Sequence, residues 1–300
     1  MKNRMILFLK WMRQYILRII PDKLYIKIIF RIKVRKKLNL KNPQTFNEKL
    51  QWLKLYNRNP KYTEMADKYK VREYVRKKIG EEYLMPLIGI YDKFDDIDFD
   101  ELPNQFVIKC NHDSGSVVIC KDKKNFDIKA ARKKINRALK YNYYYVGREW
   151  QYKNIERKIM IEEYMEDSKT CELIDYKIMC FYGRPKLLFT CSERYSSGLK
   201  VTFFDLNWNK LPFERYHPSS KIKLEKPCNY DLMIKFSKLL SKNIPFVRVD
   251  WYEINNKLYF GELTFCPGSG YEKFNPEEWD KIIGSWLTLP KYKDGDVNNE

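Results

Sequence analysis

Two carboxylates and a guanidinium lie in adjacent apolar runs near the C-terminal end of the chain. The runs are Phe246-Val-Arg-Val-Asp-Trp-Tyr-Glu253 and Lys257-Leu-Tyr-Phe-Gly-Glu-Leu-Thr264. Side chains alternate along a strand, so Arg248 and Asp250 share a face. If the runs form a hairpin whose loop holds Asn255–Lys257, Asp250 and Glu262 stand opposite each other. A two-residue Asn-Asn turn would put Glu262 on the other face, and Asn tolerates the left-handed backbone that such loops need. Side-by-side carboxylates repel unless a cation lies between them, and oxygen ligands suit Mg²⁺. Gly261 lets a ligand or another backbone come close. An exposed polar face paired with Arg248 accounts for the same residues without a metal.

Two lysines sit in runs that otherwise read as buried strands: Lys109 in Phe106-Val-Ile-Lys-Cys110, and Lys177 after Asp175 and Tyr176. Burying an ammonium without a partner costs several kcal/mol or shifts its pKa, so an anion belongs beside each. Asn111-His-Asp-Ser-Gly-Ser116 follows the first, and its small polar residues suit a turn whose N–H groups cradle phosphate. An edge lysine in the first run and a surface lysine in the second remain open alternatives.

Several elements must position these groups. Thr45-Phe-Asn-Glu48 has the form of a capping box, predicting a helix through Leu50, Leu53 and Leu55. A second helix is expected from near Asp67 to Gly80. Short strands follow at Phe106–Cys110 and Val117–Cys120, then a helix capped by Asp127 and running to about Lys140. Strands at Lys158–Glu163, Asp175–Phe181, Lys186–Cys191 and Leu199–Asp205 come next, with a turn at Gly183-Arg184. A helix over roughly 230–242 leads to the carboxylate hairpin, and Asn275-Pro276 opens a last helix. Strands mixed with helices and hairpins point to an α+β fold with largely antiparallel sheets.

Charge is distributed unevenly. Of a net +19, residues 1–40 carry +11, with Asp22 their only acid. A protein that follows a nucleic acid backbone more often spreads its basic stripe over the folded body. On a helical wheel Met5, Phe8, Leu9, Met12, Ile16, Ile19 and Ile20 fall on one arc, with Arg4, Lys10, Arg13, Gln14 and Arg18 on the other, and Pro21 ends the run. Charges recur too often for a spanning helix, and no small-residue cleavage site marks a signal peptide. The arm suits either an anionic membrane surface or packing on the domain. Seven scattered cysteines with no C-x-x-C pair read as reduced cytosolic thiols. His112 and His217 cannot complete a zinc site with them, so any metal takes oxygen ligands.

In order and spacing, several stretches resemble the TupA-like branch of the ATP-grasp superfamily, found among surface-polysaccharide and teichuronopeptide biosynthesis proteins. They are Thr45–Leu55, Ala66-Asp-Lys-Tyr-Lys-Val-Arg72, Phe106–Gly115, Ile161-Glu-Glu-Tyr164, Asp175–Lys177, Phe246–Asp250 and Phe260–Phe265. The match covers roughly residues 42–285 and leaves the basic arm outside. The resemblance implies an α+β ATP-grasp fold holding a nucleotide between two sheets, with an N-terminal helical segment. The expected organisation is an arm at 1–40, a domain at 41–290 in parts 41–160 and 161–290, and a disordered tail at 291–300.

The resemblance also implies roles. Lys109 and Lys177 would hold the ATP phosphates, with Asn111–Ser116, including His112, Ser114, Gly115 and Ser116, closing over them. Glu162, Glu163, Tyr164 and Met165 would form the hinge whose backbone meets adenine, and Glu172 would take the ribose hydroxyls. Asp250 and Glu262 would ligate Mg²⁺, and Arg248 would steady the transferred phosphoryl group. Thr264 stands where the family usually has a metal-binding Asn, and its hydroxyl would ligate a second Mg²⁺ more weakly. Asp113 places a negative charge where many relatives have Gly.

The activity implied is a carboxylate–amine ligase that works through an acyl phosphate, joining a uronic acid of a surface glycan or its precursor to an amine. The expected place is the cytoplasm, at the inner membrane face if the arm binds there. A kinase-like ATP-grasp phosphotransferase, a glycosyltransferase using the same carboxylates, and a nucleic-acid-binding protein stay open at this point.

Overall fold

The computed structural model describes residues 18–168, 173–193 and 198–291. The amphipathic run up to residue 17, Glu172 and the expected tail beyond 291 lie outside the described residues. Helix α1 (Asp22–Lys33) starts directly after Pro21. Helix α2 (Phe46–Tyr56) carries the expected capping box: Thr45 accepts the Glu48 N–H, and the Glu48 side chain reaches back to the Thr45 N–H. The second expected helix is α4 (Val71–Ile79), which starts four residues later than expected, and a short helix that was not expected, α3 (Lys61–Ala66), precedes it. Asp67 separates them, because its carboxylate accepts the N–H groups of Tyr69 and Lys70 and so competes with helical bonding.

Strands β1 (Leu87–Tyr91), β2 (Phe106–Cys110), β3 (Val118–Cys120) and β4 (Ile159–Glu163) form a small antiparallel sheet in the order β1-β4-β2-β3. Between β3 and β4 run α5 (Ile128–Leu139) and the short α6 (Tyr144–Gly147). Alternation splits this sheet. Phe106, Ile108, Cys110, Ile159 and Ile161 pack on Ala131 and Ile135 of α5. Val107, Lys109, Ile119 and Glu162 share the other face, as the pairs Val107↔Ile119 and Val107↔Glu162 require.

The larger sheet comprises β5 (Asp175–Phe181), β6 (Arg184–Ser192), β7 (Lys200–Phe204), β9 (Val247–Ile254) and β10 (Lys257–Thr264), ordered β10-β9-β5-β6-β7. The two-residue strand β8 (Glu214–Arg215) pairs with β11 (Phe274–Asn275) to make a third, minor sheet. One face of the large sheet, with Ile178, Val249 and Trp251, is covered by α7 (Tyr230–Leu240) and α4. On the other face, Met179, Phe181 and Phe246 are covered by α2 and α8 (Glu278–Trp286). There Phe46 makes edge contacts with Phe181, Phe246 and Phe274, arrangements that add roughly 0.5–1.5 kcal/mol each beyond burial. Among the described residues every strand ladder is antiparallel, and one isolated parallel bridge joins Leu84 to Phe260.

The β9–β10 connection differs from the three-residue loop that the carboxylate pairing called for. Lys257 pairs with Ile254, so the loop is Asn255-Asn256 alone, with φ of 51° and 61°, the left-handed pair that a tight hairpin turn takes. That turn alone would send Glu262 to the wrong face. A β-bulge corrects it: Phe260 faces Trp251 and Leu263 faces Val249, leaving Gly261 and Glu262 together opposite Asp250. One extra residue on β10 reverses the alternation. Glu262 and Asp250 therefore end on one side.

Candidate active site

Arg248, Asp250, Glu262 and Thr264 meet on the face of the large sheet that α2 and α8 leave open beyond Met179. Arg248 Nη2 lies 2.6 Å from Asp250 Oδ2, 3.2 Å from Glu262 Oε1 and 2.9 Å from Thr264 Oγ1. Its Nε donates to Asp250 Oδ1 at 2.6 Å. The Phe189 ring lies 5.6 Å from the guanidinium. Lys177, opposite Asp250 in the ladder, brings Nζ to 2.5 Å from Asp250 Oδ2 and 3.0 Å from Asp175 Oδ1. Asp250 is 1% exposed, a carboxylate position sustained by two cations.

The electrostatics follow from that packing. Burial alone would raise the Glu262 pKa, yet Lys68, Arg248 and Lys177 hold it down to about 2. Burial would also lower those of Lys177 and Arg248, but the facing carboxylates win and raise both above their ordinary values. Glu262, Lys177 and Arg248 are therefore charged at neutral pH. Three oxygens that reach one nitrogen stand close enough together for one small cation, and carboxylate and hydroxyl oxygens suit a hard divalent ion. Among the described residues no group of three or more His, Cys, Asp or Glu that could hold a metal ion is found, and the third oxygen here is the Thr264 hydroxyl.

The small sheet contributes its outward face. Lys109 Nζ lies 2.5 Å from Glu162 Oε2, and Arg72 stands 4.0 Å from Glu162 Oε1. Glu163 is exposed, and its N–H donates to the Pro86 carbonyl. Tyr164 and Met165 follow, partly buried, with the Tyr164 hydroxyl donating to Glu166 at 2.6 Å.

In the turn after β2, only Ser114 and Gly115 form an exposed tip, Gly115 with φ of 108°. The Ser116 hydroxyl accepts the Cys110 N–H and donates to Asp113, which turns the Asp113 carboxylate into the loop. His112 differs from its expected place at the phosphates. It is buried, and its Nε2 lies 3.2 Å from the carbonyls of Ala138 and Tyr141 at the end of α5. A side chain so enclosed anchors the turn and leaves only its backbone for a ligand.

Lys68 was not among the expected site residues. Its Nζ lies 3.6 Å from Glu262 Oε2 and donates to the Asp113 carbonyl at 2.6 Å. One ammonium thus ties the small sheet's turn to the large sheet's carboxylate, across the cleft between the two sheets. Asp67 and Asn111 brace it: Asn111 Nδ2 donates to Asp67 Oδ1, and the Asn111 carbonyl accepts the Lys68 N–H. The run Asp67-Lys-Tyr-Lys-Val-Arg72 held the signal, but helical spacing gives no hint of such a remote carboxylate.

No curated protein matches the chain. Among solved structures it is similar to D-alanine–D-alanine ligase from Bacillus anthracis, at 17% identity and a TM-score of 0.40, over 75% of this chain and 61% of that one. It is also similar to D-alanine–D-alanine ligase from Helicobacter pylori, at 15% identity and a TM-score of 0.40, over 81% and 69%. N5-carboxyaminoimidazole synthetase from Staphylococcus aureus shares 14% identity and a TM-score of 0.39, over 76% and 53%. The chain thus spans less than two thirds of the length of the Bacillus anthracis enzyme. The family model for TupA-like ATP-grasp proteins matches residues 48–288, and with most of its length so matched, the chain belongs to the TupA-like ATP-grasp family.

Proposed function

We propose that the chain is an ATP-dependent carboxylate–amine ligase. The observation that carries this reading is the convergence of Asp250, Glu262 and Thr264 oxygens on one cationic point beside Lys177. Asp250, Glu262 and Thr264 would hold Mg²⁺, which supplies charge neutralisation for the nucleotide's phosphates. Lys177 and Lys109 would bind those phosphates from opposite sheets, with Ser114 and Gly115 offering backbone N–H groups at the turn's tip. Because Pro86 takes the Glu163 N–H, an adenine donor from this hinge would come from Tyr164 or Met165.

In the first step a substrate carboxylate oxygen attacks the γ-phosphorus, the bridging P–O bond breaks, and ADP leaves with its electron pair. Arg248 and Lys177 face the charge that develops on the transferred group. In the second step an amine attacks the acyl carbon of the mixed anhydride, phosphate departs, and the nitrogen loses a proton to give the amide. The substrates proposed are a uronic acid of a surface polysaccharide, such as a capsule or cell-envelope glycan precursor, and an amino acid or amino sugar. Such precursors are commonly assembled on lipid carriers, and an enzyme acting on them would work in the cytoplasm at the inner membrane face. The family resemblance supports the glycan, and the basic residues 1–40 support the membrane.

The test is ADP release from Mg-ATP with candidate uronates, with and without amines, monitored alongside amide formation. Release that needs both partners, and falls by about two to three orders of magnitude in Lys177→Met, is the expected result. Release with a hydroxyl substrate and no amine would overturn the ligase reading in favour of a kinase.

A further inference from the structure

The outer face of α1 carries a second apolar surface that none of the described residues covers. Inward, Tyr25, Ile26 and Phe30 are buried with Val34, Leu38, Leu55 and Tyr271. Outward, Leu24, Ile28 and Ile32 are 52%, 45% and 65% exposed. Their spacing of four lines them up along one side of the helix. Lys23, Lys27 and Arg31 are exposed and share that spacing, so a basic stripe runs beside the apolar one. Lys33, Arg35, Lys36 and Lys37 extend the positive charge past the C-terminal end of the helix.

We infer that this face docks on an anionic lipid surface. The charge pattern selects the occupant. The one acid of residues 1–40, Asp22, bonds inward to Tyr144 and Arg58. A second copy of the chain meeting this face across a two-fold axis would set cation against cation. A nucleic acid would answer the lysines but leave Leu24, Ile28 and Ile32 against water or phosphate. Anionic lipid answers both, with headgroups for the lysines and acyl chains for the three aliphatic side chains.

The helix is fixed to the body beside the cleft. Its partner Tyr271 follows the loop Pro267–Gly270, which leaves β10 just after Thr264. Docking through α1 would therefore hold the carboxylate end of the cleft close to the lipid. This deepens the membrane placement proposed above, yet the docking is measured with no substrate present, so failure of the ligase reading leaves its result intact.

The experiment is co-sedimentation of the full chain with vesicles of phosphatidylglycerol and phosphatidylcholine in equal parts, and with phosphatidylcholine alone. Binding is expected only to the anionic vesicles, falling as salt rises. L24S/I28S/I32S is expected to lower the partition coefficient by about tenfold or more. K23Q/K27Q/R31Q is expected to lower it by about a hundredfold, at roughly fivefold per cation near the surface. Both sets of side chains are exposed, so melting temperatures should match the parent and show that the variants are folded. Parent-level binding in both variants overturns the inference, as does equal binding to neutral vesicles. A parent dimer that the apolar variant converts to monomer also overturns it, because the occupant is then a second copy.

Discussion

Asp250 and Glu262 carry the same charge in one site but answer to different neighbours. Asp250 is enclosed by Lys177 and Arg248, so Asp250→Asn removes the counter-charge from two buried cations. Breaking such a pair costs about 3–5 kcal/mol, and the urea midpoint should fall accordingly. Loss of ADP release in that variant alone would therefore say little about chemistry. Glu262 retains a side-chain exposure of 34%, and its cations keep other partners in Asp250 and Asp113. Glu262→Gln is expected to cost less stability than Asp250→Asn does, because Glu262 is the more exposed of the two, while lowering ADP release about a hundredfold or more. An unchanged release rate at saturating Mg²⁺ would remove Glu262 from the nucleotide machinery. The two variants together separate a carboxylate that the fold needs from one that it leaves free for a ligand.

At the scale of elements, α2 bears a lysine whose burial is measurable. Lys54 Nζ donates to the carbonyls of Gly147 and Ser269 and stands 4.4 Å from the centre of the Tyr271 ring. Burial pushes its pKa down from 10.5 to about 8. Between those values the folded chain binds fewer protons than the unfolded one, so stability should rise as pH climbs from about 8 toward 10.5. The rise from this group is about 3 kcal/mol at most. Urea midpoints at pH 7.5 and 10 should show it in the parent, and Lys54→Met should lose that part of it.

Elements were also where the sequence was most and least legible. The capping box at Thr45, the strands around Lys109 and Lys177, and the antiparallel α+β architecture followed from alternation and turn residues. The side on which Glu262 stands did not, because a bulge depends on how two strands settle against each other and leaves only Gly261 as a trace. There an added Cβ would lie 3.1 Å from the Asp250 carbonyl. His112 was misplaced for a related reason: a polar residue in a turn looks the same whether it faces a ligand or the carbonyls that end a helix.

Over the whole molecule, the concentration of charge at the N-terminal end raises the question of whether α1 is an arm or part of the body. Among the described residues no helix is long and apolar enough to cross a membrane. The Asp22 carboxylate accepts the Tyr144 hydroxyl at 2.5 Å and Arg58 Nη2 at 2.8 Å, with Arg148 Nε at 3.4 Å. Arg148 is itself buried among the rings of Tyr25, Tyr144 and Tyr145 and donates to the Ile20 carbonyl. A single acid thus joins the start of α1 to the segment just before the small sheet's last strand. Asp22→Asn keeps the shape but withdraws the charge from two arginines, and should lower stability by about 3–5 kcal/mol. It should also expose α1, whose lysines and arginines would then be cut by trypsin faster than those of the parent at equal temperature. If α1 were held by its apolar face alone, neither the urea midpoint nor the cleavage rate would move, and the helix would be free to leave the body when it met a lipid surface.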